Sequence, residues 1–202
     1  MKIIKRTAVL VVLSLIILLG SACGDARELS DTAIILGIGI DEHEDQIELT
    51  VELSSADTNE AKVMQARGAT MEACVKQIQL YNYEYLFWGG TAALVFGVSI
   101  NDIDLDCYSL YLYQNLGVSG KTPLFRAWEC SVSEIMNGRF SQAPYLSVGL
   151  NEAMRLKERS ESEEQLTLAE RLEASMGQGE QKFAALVTIG DDGHIRLVDL
   201  PQ

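Results

Sequence analysis

The sequence has little positive charge and only two histidines among its 202 residues. Its 16 lysines and arginines stand against 29 aspartates and glutamates, a formal net charge of −13. Nucleic-acid binding depends on clustered cations that neutralise phosphates, and attraction to anionic lipid depends on basic segments. The composition therefore argues against both. Hydrophobic residues at 48% and charged residues at 22% are typical of a globular chain of one or two domains.

Recognisable catalytic motifs are also missing. His43 lies in an acidic segment and His194 precedes a strand-like run, and neither is near a nucleophile pattern. The glycine pair in the sequence Gly37-Ile38-Gly39 lacks the third glycine and the following helix of a dinucleotide-binding loop. No Walker loop, HExxH or CxxC motif is present. We therefore predict no catalytic residue, and we interpret the acidic segment 41–45 as a solvated turn rather than a Ca²⁺ site, because it lacks EF-hand spacing.

The N-terminus is basic and then apolar. Lys2, Lys5 and Arg6 precede the run AVLVVLSLIILL at 8–19, which ends in Gly20-Ser21-Ala22. A basic start, an apolar stretch and small residues predict a secretory signal peptide over residues 1–22. The apolar stretch is shorter than the ~20 residues that a membrane span requires, which disfavours the alternative of a signal anchor.

Cys23 follows directly and suggests lipidation. The sequence Leu19-Gly20-Ser21-Ala22-Cys23 is similar to a bacterial lipobox, in which the cysteine is diacylated, although Gly20 stands where leucine is usual. An ordinary signal peptide with an incidental cysteine is the alternative. Acyl chains contribute about 0.8 kcal/mol per buried CH₂, so a lipid on Cys23 would anchor the chain without a basic patch. We expect no other cofactor, and we interpret residues 23–31 as a tether.

Removal of the signal peptide changes two counts. Residues 1–22 carry three positive charges and no negative ones, so the mature chain has a charge of −16. With Cys23 acylated, Cys74, Cys107 and Cys130 remain, and an odd number excludes a complete disulfide framework. One pair could still form a bridge. Cys74 in a helical pattern and Cys130 in a strand-like pattern are more simply buried apolar side chains.

Hydrophobic patterning predicts an α+β fold, with a mixed or antiparallel sheet covered by helices. Residues 32–41 and 46–54 should form a hairpin, and alternation in the second strand predicts one solvated face. Residues 55–67 are interpreted as a loop or a frayed helix. The continuous apolar run 91–98 predicts a central strand that is buried on both faces.

The remaining segments complete one main domain, residues 32–180. Helices are expected at 70–80, 104–116, 131–138 and 146–176, the last with a polar break at 160–164. Residues 124–132 are strand-like, and 105–113 could also extend as a strand. Residues 183–189 and 194–199 flank Asp192-Gly193, a strong hairpin signal. This C-terminal hairpin, within 181–202, either adds to the sheet or begins a missing second domain.

Residues 81–90 are rich in aromatic side chains. Tyr83, Tyr85 and Trp88 could line a ligand-stacking rim or a partner-binding patch. A half-buried connection that leads into the central strand, with the tyrosine hydroxyls outward, is the interpretation we favour.

One resemblance extends from Cys23 to Asp41. The segment CGDARELSDTAIILGIGID resembles the start of the Ger(x)C family, in which the lipid-bearing cysteine is followed by Trp-Asp-x-Arg-Glu-Leu and an apolar stretch ending in Gly-Ile-Gly-Ile-Asp. Gly24 replaces the tryptophan. The positions that match are Asp25, Arg27, Glu28, Leu29, Gly37, Gly39 and Asp41.

This resemblance implies a non-catalytic role. Members of the family are the lipoprotein C subunits of spore germinant receptors, usually longer than this chain. They are anchored at the extracytoplasmic face of the spore inner membrane with two membrane-embedded partners, A and B. Asp25, Arg27, Glu28 and Asp41 would then contact partners, or else cap or anchor the first hairpin. The alternative is a stand-alone small-molecule-binding lipoprotein with an aromatic pocket at 81–90, and an enzyme comes third.

Overall fold

The computed structural model describes residues 32–54, 61–140, 143–161, 166–177 and 185–198, with only the backbone at 158–161. The predicted signal peptide, tether and lipid site lie outside these ranges. The strands are β1 (Thr32–His43), β2 (Gln46–Leu53), β3 (Lys62–Gly68), β4 (Tyr85–Phe87), β5 (Ala93–Phe96), β6 (Leu124–Ala127), β7 (Ala185–Ile189) and β8 (Ile195–Val198). The helices are α1 (Met71–Tyr81), α2 (Asp102–Leu116), α3 (Val132–Met136), α4 (Leu146–Glu161) and α5 (Leu168–Met176).

The strands form one mixed eight-stranded sheet, which confirms the predicted α+β class. Its order is β3-β2-β1-β5-β6-β7-β8, and the short β4 pairs with the beginning of β1. Strands β1, β5, β6 and β7 are parallel to one another, whereas β2, β3 and β8 run antiparallel to their neighbours. The parallel strands therefore share a carboxyl edge, where β1 reaches Asp41 and β5 reaches Phe96.

Helices cover both faces of the sheet. On one face α1, α2 and α5 pack against the aliphatic side chains of β1 and β2, including Ile38, Leu49 and Val51. On the other face α3 and α4 pack against Val95 and Phe125. Because both faces are covered, β2 has no solvated face: its residues after Gln46 are all buried. The prediction of a solvated face was wrong, since alternation of polar residues does not reveal helices that arrive later in the chain.

The first hairpin has a tighter turn than the sequence indicated. β1 continues to His43, which pairs with Gln46. The turn is thus Glu44-Asp45 alone, and both residues have positive φ, 49° and 63°. Two left-handed residues match the twist of the flanking strands, as in a type I′ turn.

Strand β3 corrects the prediction for residues 55–67. Lys62–Gly68 pairs antiparallel with β2 along its full length, from Ile47–Gly68 to Leu53–Lys62. Residues 55–60 lie outside the described ranges. Most β3 side chains are partly or fully exposed because this strand is the edge of the sheet. An edge strand with one weakly buried side shows little hydrophobic periodicity, which explains the error.

Helix boundaries follow the capping signals. Thr70 accepts a hydrogen bond from the Ala73 amide at 3.2 Å, and α1 buries Met71, Cys74 and Ile78 as predicted. Helix α2 starts after the N-cap Asn101 and ends at Gly117, which has a φ of 70°. The strand alternative for 105–113 was therefore wrong. The predicted capping box around α3 is confirmed, with Ser131 and Glu134 bonded reciprocally.

The predicted central strand and terminal hairpin are also found. β5 occupies the middle of the sheet with every residue buried. β7 pairs in parallel with β6, and β8 returns antiparallel through a turn in which Gly193 has a φ of 74°. The terminal hairpin thus pairs with the existing sheet through β7.

Strand β6 is shorter than predicted. It ends at Ala127, and the chain turns at Glu129, which has a φ of 56°. Cys130 lies in this bend rather than in a strand and is half-buried. Cys74, Cys107 and Cys130 are all free thiols, so none of the bridges that the sequence left open forms among them. Burial raises the pKa of the Cys74 and Cys130 thiols.

A buried arginine joins α5 to α2. The Arg171 side chain is 0% exposed, and its Nε donates to Asp106 Oδ1 at 2.8 Å. Its Nη2 lies 3.3 Å from Asp102 Oδ1 and 3.4 Å from the Asp102 carbonyl oxygen. A buried cation needs such partners because water no longer solvates it. The acidic residues that begin α2 thus also hold α5 on the sheet.

We expect Arg171→Ala to lower the free energy of unfolding by about 3 kcal/mol, because it leaves a cavity in place of a fully buried side chain and removes the donor to the Asp106 carboxylate. Arg155→Ala is the matched control. Its guanidinium pairs with exposed Glu152 within α4, so its loss should change stability by less than about 0.5 kcal/mol. Urea unfolding curves of both variants measure the difference, and equal midpoints would contradict the role given to Arg171.

Candidate functional site

The carboxyl edge of parallel strands is where open α/β sheets place their ligands. In this chain the edge contains Asp41, a candidate site residue from the sequence. Asp41 is only 5% exposed. Its surroundings determine whether it can meet a partner or a ligand.

The Asp41 carboxylate is surrounded by donors from its own chain. Oδ1 accepts from Ser99 Oγ at 2.6 Å and from the Glu42 amide at 2.9 Å. Oδ2 accepts from the Val132 amide at 3.4 Å and lies 3.7 Å from His43 Nε2. Val132 begins α3, so the carboxylate meets a helix N-terminus, where negative charge is favoured. Asp41 therefore joins β1, the segment after β5 and α3, and acts as an internal anchor.

Glycines make room for the same helices. A Cβ at Gly39 would overlap Val132 and would approach Met136 Cγ at 2.8 Å, and one at Gly37 would overlap Ser147. A Cβ at Gly97 would overlap the Asp41 carboxylate. The residues of the Gly-x-Gly-x-Asp pattern thus form a docking surface on β1, against which α3 and α4 pack directly. Its glycines serve close packing rather than phosphate binding.

A second buried carboxylate caps α4. Glu52 on β2 is 1% exposed, and its two oxygens accept from the amides of Leu146 at 2.7 Å and Ser147 at 2.9 Å. These amides belong to the first turn of α4, where backbone N–H groups have no acceptor within the helix. Between the two caps, the side-chain Nε2 of Gln65 donates to Ser133 Oγ at 3.2 Å and to Thr50 Oγ1 at 3.5 Å. The β1–β2 face is therefore a row of polar groups directed at helix starts.

Further charged groups stabilise the same edge. Arg126 on β6 donates to the carbonyl oxygens of Val98 at 3.0 Å and Ile100 at 2.8 Å, and burial lowers the pKa of its guanidinium. Tyr108 on α2 donates to Glu42, and burial together with this hydrogen bond raises the pKa of its hydroxyl. Glu48, 2% exposed, pairs with Arg67 on β3. Each of these polar side chains therefore has a bonding partner within the chain.

Two open clefts border this region. One, of about 520 Å³, lies beside Glu52, Val63 and Phe140. The other, of about 440 Å³, lies at the hairpin end beside Glu42, His43, Glu44 and Arg67. Among the residues that the structure describes, no three His, Cys, Asp or Glu side chains are placed to hold a metal ion.

The aromatic segment divides between surface and core. Tyr83 is fully exposed and Tyr85 is 49% exposed, whereas Trp88 is 8% exposed and lies in the core. The Trp88 carbonyl oxygen accepts from Thr91 Oγ1 at 2.7 Å. The three side chains of the suggested rim therefore point to different environments. The segment leads through β4 and a short 3₁₀ turn at Trp88–Gly90 into β5.

Comparison with known families assigns the chain. The sequence profile described as "Spore germination protein N-terminal domain" matches residues 25–189. The chain belongs to this spore germination family. No curated protein and no solved structure shows significant similarity to it.

The match to the spore germination N-terminal domain covers the resemblance from Asp25 to Asp41 and confirms the family that the sequence suggested. It begins two residues after Cys23 and includes Gly37, Gly39 and Asp41, the docking surface of β1. Asp25, Arg27 and Glu28 also fall within the match but lie outside the described residues, as does Cys23. Within the described ranges, no helix is long and apolar enough to cross a membrane.

Several residues that organise this spore germination domain were not singled out from the sequence. Glu48 and Glu52 occupy polar positions of an alternating strand, a pattern that normally indicates solvent. Arg171 lies in a helix with many charges. A charged residue at a buried position leaves no signal of its own in a single sequence.

We expect Gly97→Ala to lower the free energy of unfolding by about 2 kcal/mol, because the new methyl group displaces the Asp41 carboxylate from its donors. Gly177→Ala is the control. A Cβ there meets nothing closer than 3.7 Å, so stability should be nearly unchanged. Thermal or urea unfolding measures both, and a neutral Gly97→Ala would contradict the anchoring role of Asp41.

We expect Glu52→Gln to lower the free energy of unfolding by about 2 kcal/mol, because the amide NH₂ then faces one of the two helix amides and leaves it unsatisfied. Glu152→Gln, at an exposed position of the capped helix itself, is the control and should change stability by less than about 0.5 kcal/mol. Hydrogen exchange at Leu146 and Ser147 localises the effect. Unchanged protection there would show that Glu52 is not the cap.

Proposed function

We propose that this chain is a lipid-anchored, non-catalytic subunit or accessory of a spore germinant receptor. The family match over residues 25–189 carries the proposal. The lipobox-like sequence before Cys23 supports the anchor, since the matched domain begins just after that cysteine. The domain would lie at the extracytoplasmic face of the spore inner membrane, beside the membrane-embedded A and B subunits that the family implies.

The geometry supports a structural rather than a catalytic role. The polar groups at the carboxyl edge of the sheet bind one another and the starts of two helices. Asp41 and Glu52 are only 5% and 1% exposed, and both are directed at helix starts, so neither carboxylate faces a substrate in solvent. A domain tied together in this way offers a rigid body, and its exposed surface is available for protein partners.

A stand-alone small-molecule-binding lipoprotein remains the alternative from the sequence. The structure gives it less support, because Tyr83 is exposed and Trp88 is buried. The two clefts described above are lined by other residues.

We expect Cys23→Ala to abolish both the incorporation of palmitate and the removal of residues 1–22, because no acyl chain can then be attached and the cleavage depends on it. Metabolic labelling with palmitate measures the first effect, and the larger size of the unprocessed chain on a gel measures the second. Cys107→Ala, at an exposed cysteine within the domain, is the control and should retain the label. A wild-type chain that stays in the membrane with residues 1–22 attached and takes up no palmitate would indicate a signal anchor and contradict the lipid.

The receptor assignment is tested by copurification from spore membranes solubilised in mild detergent. The wild-type chain should recover multi-spanning partner proteins, and a deletion strain should germinate slowly with at least one nutrient. A monomer that binds a nutrient by itself and recovers no partner would contradict the subunit role and favour the alternative.

A further inference from the structure

Five large apolar side chains are exposed within one short segment. They are Leu80 and Tyr81 at the end of α1, Tyr83 in the following turn, and Tyr85 and Phe87 on β4, which we call the aromatic strip. Their exposed fractions run from 49% to full exposure. Single exposed apolar residues are ordinary, but a contiguous group of them usually marks an interaction surface.

The strip is held in place by its neighbours. The Glu84 carbonyl oxygen accepts from Gln79 Nε2 at 3.1 Å and from Asn82 Nδ2 at 3.2 Å, which shapes the turn that carries Tyr83. Tyr85 and Phe87 are fixed by the pairing of β4 with β1. A surface that is ordered before binding loses little conformational entropy when it binds.

The strip lies beside the start of β1, where the chain enters the domain. Thr32, the first residue of β1, pairs with Tyr85, and Ile34 pairs with Phe87. Only residues 24–31 separate Cys23 from Thr32, so the cysteine and the start of β1 can be at most about 30 Å apart. The opposite end of β1, at Asp41, lies roughly 30 Å further along the strand.

The chemistry of the strip suits a bilayer surface. Tyrosine carries a large apolar ring and a hydroxyl that can remain hydrated, and it concentrates in the headgroup region of membranes. Phenylalanine and leucine supply apolar area that interfacial segments bury at the boundary with the acyl chains. Glu84 is the only charged residue between 80 and 87, and its side chain is half-buried. The mature chain as a whole, by contrast, has a charge of −16. The strip therefore offers contact with lipid where most of the acidic chain would be repelled.

We infer that the aromatic strip inserts into the headgroup region of the membrane that holds the lipidated Cys23, and so orients the domain with the start of β1 toward the bilayer. The inference rests on the proposed lipid anchor. The occupant is lipid rather than a protein groove, because the strip is adjacent to the segment that leads to the anchor.

Tryptophan fluorescence tests this orientation. The lipidated chain is placed in vesicles of phosphatidylethanolamine and phosphatidylglycerol with brominated acyl chains, which quench tryptophans that reach the bilayer. Tyr83→Trp adds a reporter on the strip at a fully exposed position. Ile103→Trp is the matched control: Ile103 is 76% exposed and lies in the first turn of α2, four residues after Ser99, whose hydroxyl contacts Asp41 at the far end of β1. Trp88 and Trp128 are common to all chains, so differences report the added residue.

We expect the Tyr83→Trp reporter to lose most of its added fluorescence and the Ile103→Trp reporter to lose none. Adding Phe87→Ser to Tyr83→Trp should reduce the quenching. Equal quenching at both positions, or none at either in chains that float with the vesicles, overturns the inference but leaves the anchor intact. Chains that do not float overturn both. If the reporter at residue 83 is shielded from the brominated lipid only when a copurified membrane protein is present, the strip contacts a protein partner. That result would also overturn the inference.

Discussion

The structure depends on two carboxylates buried between a sheet and the helices that cover it. Asp41 and Glu52 are on neighbouring strands, and each accepts hydrogen bonds from the first amides of a helix that follows about ninety residues later, α3 and α4 respectively. A buried carboxylate without donors would be costly, and so would helix amides without acceptors. Each group satisfies the other, which fixes the second helical layer on the sheet.

This constraint explains the composition of the first hairpin. Gly37 and Gly39 have no side chain because α3 and α4 rest against the strand there, and Gly97 has none because the Asp41 carboxylate occupies that space. The pattern Gly-x-Gly-x-Asp, which carries the family resemblance, is thus explained by the close packing of α3 and α4 against β1. A motif that could be mistaken for a binding loop is therefore architectural.

The two sides of the sheet differ in how they are joined. The face with α1, α2 and α5 is joined by aliphatic packing, with the Arg171 contacts to Asp102 and Asp106 at its margin. The face with α3 and α4 combines an apolar cluster with the polar caps on β1 and β2. The exposed aromatic strip lies near the start of β1, away from the carboxyl edge where the polar contacts concentrate. The internal anchors and the exposed aromatic surface are therefore separated along the same strand.

Sequence alone determined the α+β class, the capped helices, the central strand β5 and the terminal hairpin, because each has a local signal: helical periodicity, a capping residue, an unbroken apolar run or an Asp-Gly turn. It also predicted a lipid anchor at Cys23, which lies outside the described residues. Only the tertiary structure decided that β3 exists as an edge strand, that Glu48 and Glu52 are buried and that Asp41 is an anchor. Those outcomes depend on segments distant in the chain, and no local pattern of β2 or β3 records which helix will cover it.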